Sequence, residues 1–74
     1  MAQKAKRIFT VSIPEKGVIL WDTTLRPLSV QLLDYDSESL SYITLFLKMK
    51  EEEGKFTFTT KSGVSYLIQR LSRV

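Results

Sequence analysis

Residues 7–13 alternate strictly between two faces, and this alternation limits the chain more than any other feature it has. Phe9, Val11 and Ile13 lie on one side, and Ile8, Thr10 and Ser12 on the other. A period of two built from β-branched and aromatic residues predicts a strand. Pro14-Glu15-Lys16-Gly17 follows. Proline presets its own φ and glycine accepts a positive one, so these four residues predict a tight turn. The continuous apolar run Val18-Ile19-Leu20-Trp21 then predicts a second strand, hairpinned to the first. The chain must therefore contain a sheet, and the rest of it must cover at least one face of that sheet.

The material for covering it is limited. The chain has 74 residues, with one tryptophan, three tyrosines, four phenylalanines and no cysteine or histidine. That size predicts one domain over residues 7–74, after a flexible basic tail at residues 1–6. A chain this short buries only about 60–65% of the surface it exposes when unfolded. Without cysteine no disulfide can staple it, and self-association is the expected support. A homodimer is predicted, with Val18, Ile19, Leu20 and Trp21 at the interface, because that run is apolar on both sides. No stretch approaches the about 18 apolar residues of a membrane span, and the start has no signal-peptide core. A cytoplasmic protein is expected, with no membrane partner.

Further along, Leu28, Val30 and Leu32 alternate with Ser29 and Gln31 after Pro27, which predicts a third strand. Residues 37–53 carry two patterns. Leu40, Ile43 and Leu47 have helical spacing, widened by Phe46, while residues 42–50 also alternate as a strand. Asp36 or Ser37 as an N-cap and Gly54 as a C-cap decide for a helix. Lys55 to Lys61 alternate again, with Phe56 and Phe58 on one face and Lys55, Thr57, Thr59 and Lys61 on the other. Phe56 and Phe58 are assigned to the core, which in a short chain needs them. Val64, Leu67, Ile68 and Leu71 stand at i, i+3, i+4 and i+7, which predicts a C-terminal helix capped by Ser62. The expected fold is α+β in the order β-β-β-α-β-α on a mixed or antiparallel sheet. A mostly-β small barrel is the fallback.

The missing histidine and cysteine exclude imidazole acid–base schemes, thiol nucleophiles and N/S zinc sites. Asp34-x-Asp36-x-Glu38 opens like a calcium loop, but Ser39 stands where glycine is needed and Leu45 where the bidentate glutamate is needed. Glu51, Glu52 and Glu53 are adjacent on a helix end and point apart. No glycine-rich loop has phosphate-cradle spacing. The chain is read as a non-enzyme with no metal and no cofactor.

Charge is unevenly distributed on a chain of net charge +3. Residues 1–33 hold five basic against two acidic side chains, residues 34–53 two against six, and residues 54–74 four against none. Two basic segments flanking an acidic one suit an anionic partner on one face. Two functions are consistent with this pattern. The first is a nucleic-acid-binding protein. It would contact phosphates through Lys4, Lys6 and Arg7, through the strand face of Lys55, Thr57, Thr59 and Lys61, and through Ser62 and Gly63 at a helix N-terminus. Lys50, among glutamates, is expected to stay clear of phosphate. The second is a protein-interaction module (a subunit, adaptor or inhibitor) that uses the Val18–Trp21 strand and the acidic helix.

Overall fold

The computed structural model describes the backbone of residues 6–73 and the side chains of residues 7–71. Of the tail predicted over residues 1–6, residues 1–5 lie outside the described residues, and Lys6 already belongs to the first strand. The elements are β1 (Lys6–Ile13), β2 (Gly17–Asp22), α1 (Leu25–Tyr35), α2 (Tyr42–Glu51), β3 (Lys55–Thr59) and β4 (Ser65–Arg73). The strands form one antiparallel sheet in the order β2-β1-β4-β3. Both helices come from the single long connection between β2 and β3, and both pack on the same side of the sheet. The class is α+β, as the sequence implies, but the order is β-β-α-α-β-β. Two elements differ from expectation.

The first is α1, where a third strand was expected over residues 28–32. Leu25, Leu28, Ser29 and Leu32 repeat at i, i+3, i+4 and i+7, and all four are buried. Val30, which the alternation would place beside Leu28 and Leu32, is 63% exposed. Pro27 explains the choice. It sits in the first helical turn, where no amide needs an intrahelical partner, so its missing N–H costs nothing there. In a sheet interior the same residue would break a ladder bond. Asp22 accepts hydrogen bonds from the Thr23 and Thr24 amides at 2.7 and 3.4 Å just ahead of the helix. Its second oxygen accepts from Gln31 Nε2 at 2.9 Å, tying the end of β2 to the helix body.

The second is β4, where a C-terminal helix was expected. Tyr66 and Ile68 are buried at alternate positions, 2% and 0% exposed, on the helix-covered face. Leu67 and Leu71 point the other way. A strand with apolar residues on both faces can match a helical template by coincidence, and Val64, Leu67, Ile68 and Leu71 do so. Tyr66 separates the two readings, because a helix docked on Leu67 and Leu71 would leave its ring in water. Pairing also favours the strand: β4 is bonded to β1 over seven register pairs, from Lys6–Arg73 to Ser12–Leu67, and to β3 over five.

The expected helix in residues 37–53 is present but shorter, beginning after Ser41. Its inward residues are Leu45 and Met49, not Ile43 and Leu47, which are 68% and 53% exposed. Gly54 does end it. With φ of +92° its amide donates to the Met49 carbonyl at 2.8 Å, satisfying a C-terminal carbonyl. The core between sheet and helices is built from Phe9, Val11, Ile13, Leu28, Leu32, Leu45, Phe56, Tyr66 and Ile68, with neighbours at its rim. No helix among the described residues is long and apolar enough to cross a membrane.

The helical reading of residues 25–35 separates two substitutions that a strand would treat alike. Leu28→Ala should destabilise the domain by about 2–5 kcal/mol in a denaturant titration, because it opens a cavity at a fully buried site. Val30→Ala should stay within about 0.5 kcal/mol of the parent. Equal losses from the two would indicate a strand.

Candidate nucleic-acid interface

Because both helices pack on one side, the other face of the sheet is bare. The pairing gives its layout. Trp21, Thr10, Gln69 and Lys55 form one row across all four strands, and Val18, Ser12, Leu67 and Thr57 form the next. Ile8 and Leu71 pair beyond the first row, and Thr59 and Ser65 beyond the second. Strands about 4.8 Å apart make each full row about 14 Å wide.

A β-bulge completes this surface. Val18 and Trp21 are three residues apart and would face opposite ways on a regular strand. The register shifts between Val11 and Ser12, so that Leu20 pairs with Val11 while Val18 pairs with Ser12 and Ile19 is left over. The extra residue brings Val18 and Trp21 onto the same open face, where they are 57% and 59% exposed. Leu20 turns inward, and both Ile19 and Leu20 are half-buried against the core. The predicted interface run is therefore split: Val18 and Trp21 are available to a partner, while Ile19 and Leu20 belong largely to the fold. Thr10, between Trp21 and Gln69, is 4% exposed, and its hydroxyl has no hydrogen-bond partner. An unmade bond of this kind costs about 1–3 kcal/mol.

The expected phosphate contacts are divided among three places. Lys55, Thr57 and Thr59 share the open face, as the strand alternation implies, and all three are exposed. Lys61, Ser62 and Gly63 do not start a helix. They form the β3–β4 turn, closed by bonds from the Thr60 amide to the Val64 carbonyl and from the Gly63 amide to the Thr60 carbonyl, both 2.9 Å. An anion already occupies the expected site: the Glu38 carboxylate accepts from the Ser62 amide at 3.1 Å and from the Ser62 hydroxyl at 2.6 Å. A phosphate there would have to displace a side chain of the same chain. Arg7 lies on the helix side of β1, away from Lys55. Lys4 lies outside the described residues, as does the side chain of Lys6.

Arg7 instead borders a cleft of about 240 Å³ at one end of the helix layer, together with Lys50 and Arg70. Tyr42, Phe46, Thr23 and Thr24 also line it, and no carboxylate does. Lys50, expected to be masked by glutamates, faces the cleft because it sits one turn after Phe46 on α2. No sequence motif marks Arg70 as a site residue. Its strand register opposite Phe9 brings it to the cleft.

A second carboxylate works beside Glu38. The Tyr66 hydroxyl donates to Asp36 Oδ2 at 2.6 Å, and the Glu38 amide donates to Asp36 Oδ1 at 3.0 Å. These bonds hold the Asp36 carboxyl below the ordinary carboxylate value, the tyrosine contributing most. Burial and the adjacent carboxylate push the Tyr66 phenol up. Asp36 and Glu38 are thus engaged in tying the interhelical loop to β4 and its turn.

Compared with known proteins, the chain matches no family, no curated sequence and no solved structure. The reading of its surfaces rests on its own residues.

The Asp36–Tyr66 bond has a pH signature. Because the folded pKa of Asp36 lies below its unfolded value of 3.8, its contribution is fully present above that value and is lost as pH falls through the folded pKa. Stability of the parent over Tyr66→Phe should be constant near neutrality and should narrow in acid below the unfolded value. A difference that does not change with acid would mean that the bond adds no stability.

Proposed function

We propose that the bare sheet face binds single-stranded nucleic acid. One observation carries this reading: the row Trp21–Thr10–Gln69–Lys55 sets an aromatic ring, a primary amide and a cation side by side, with no carboxylate at any outward position of the four strands. A ring supplies a sequence-tolerant stacking surface, worth about 1–3 kcal/mol per base. Lysine and the hydroxyls of Thr57 and Thr59 supply phosphate contacts. The acidic residues lie in turns, in the helices or at strand ends, where they do not oppose a polyanion on this face. A duplex fits less well, because its bases are already stacked and cannot reach Trp21. A cytoplasmic setting accords with this reading.

Trp21 is the sole tryptophan, so its fluorescence reports on the face directly. Titration with a single-stranded oligonucleotide should quench it, with affinity falling as salt rises by about 0.7 in log–log slope per phosphate contact. Followed instead by the anisotropy of a labelled oligonucleotide, Lys55→Ala should remove about one contact's worth of slope, and Trp21→Ala should weaken binding about tenfold or more. No binding at low salt would overturn the proposal.

The second reading, a second copy of the chain on the same face, draws on the exposure of Val18 and Trp21 along an edge strand. Light scattering decides it. A concentration-dependent rise from 8.5 kDa that Trp21→Ala abolishes would favour a homodimer over a nucleic-acid platform.

A further inference from the structure

The cleft between the sheet end and the two helices is separate from the bare face, and its chemistry is stronger. Arg7, Lys50 and Arg70 converge on about 240 Å³ of space with no carboxylate in its wall. At two other places a carboxylate of the chain meets uncharged donors: Glu38 fills the Ser62 turn, and Asp22 fills the start of α1. The cleft has received none. One of the three cations lies over an aromatic ring of the cleft wall: the Lys50 ammonium is 5.6 Å from the ring centre of Phe46. Another, Arg70, is set by a glycine. A Cβ at Gly54 would come within 3.1 Å of the Arg70 guanidinium, so the missing side chain lets that group lie against the backbone. A hydrogen bond of 2.7 Å from the Arg70 amide to the Gly54 carbonyl fixes the approach.

We infer that this cleft binds a phosphate monoester carried on a flat ring, that is, a nucleoside monophosphate group. A phosphate dianion matches three converging cations better than a carboxylate does, and arginine can grip it through two parallel bonds. The ring has a place as well. Phe46 and Tyr42 lie side by side, 6.0 Å between centres, and Phe46 is 42% exposed at the rim. Size limits the ligand: sites for drug-sized molecules run from about 300 Å³ upward, so this space takes one nucleotide and not a dinucleotide. The group can come from a free nucleotide or from the phosphorylated end of a strand. The inference does not depend on the bare face, which shares no residue with the cleft.

The test uses the whole chain and amide chemical shifts. Adenosine monophosphate should move the amides of Thr24, Lys50 and Gly54, whereas adenosine should bind about tenfold or more weakly for want of the charge-assisted bonds. Lys50→Gln and Arg7→Gln, both at exposed positions, should each weaken the monophosphate about tenfold. Lys16→Gln, in the β1–β2 turn, should leave it unchanged. An end-phosphorylated oligonucleotide and its unphosphorylated twin identify the source. Cleft shifts with the free nucleotide alone, or with the phosphorylated strand alone, each support the phosphate site and say which ligand fills it. Cleft amides unmoved by both, adenosine binding as well as its monophosphate, or the three variants behaving alike would each overturn it. Failure here with Trp21 still quenched by an unphosphorylated strand would leave the bare-face reading standing, and the reverse result would remove only that reading.

Discussion

The antiparallel pairing of β1 with β4 is the constraint on which the structure depends. It joins the first described strand to the last, so every other element hangs on a ladder that spans nearly the whole chain. Both strands are central, and both are buried on the helix side, with Val11 and Ile68 paired and wholly inaccessible. Neither hairpin would be stable alone, since two strands with one apolar face have nothing to close on. Joined through β1 and β4 they make a four-stranded sheet whose one covered face is large enough for a core. This also makes the fold non-local, because no contact between residues near 10 and residues near 69 can form before the segment between them has been drawn in.

The helices follow from that arrangement. A connection from the outer strand β2 to the opposite outer strand β3 must cross the sheet, and it can cover only the side on which it crosses. Leu28, Leu32, Leu45 and Met49 close that side. Among the described side chains, the other side is left with the residues that strand alternation puts there: hydroxyls, one amide, one lysine, and apolar groups on β1, β2 and β4. The bulge at Ile19 decides what β2 shows. Without it Trp21 or Val18 would turn into the core, and the bare face would lose one of its two most exposed apolar side chains. One additional residue in a six-residue strand thus sets which side chains a partner can reach.

Much of this was readable in the sequence where local chemistry is decisive. The β1–β2 hairpin follows from an unbroken period of two and a proline–glycine turn. The end of α2 follows from Gly54, and the two-faced character of β3 from Lys55, Phe56, Thr57, Phe58 and Thr59. The misreadings arose where short segments satisfy two periodicities at once. Leu28, Val30 and Leu32 alternate, but Leu25 extends them into a helical stripe, and Pro27 is the local signal that favours the stripe. In residues 64–71 the helical match used apolar groups from both faces of a strand, and the deciding fact is long-range pairing with β1. The candidate phosphate site at Ser62 and Gly63 was expected at a helix N-terminus, and the segment is instead a strand-joining turn bonded to Glu38. Its occupant, Glu38, stands 24 residues away in sequence, and no local pattern announces that contact.

The same logic explains why a chain of modest net charge carries such different surfaces. A carboxylate that accepts hydrogen bonds within the fold has fewer lone pairs left for anything else, and its position is fixed although its charge remains. Asp22, Asp36 and Glu38 are all used in this way, at the start of α1, at Tyr66 and at Ser62. The described basic side chains have no carboxylate partner: Arg26, Lys48 and Lys50 lie over aromatic rings, which attract a cation without neutralising it. Three of the acids are thereby fixed at loops and turns, away from the cleft and the bare face, where cations stand without a carboxylate beside them. A polyanion meeting this protein therefore encounters its positive charge directly, and the net value of +3 understates the attraction on the faces where the cations stand.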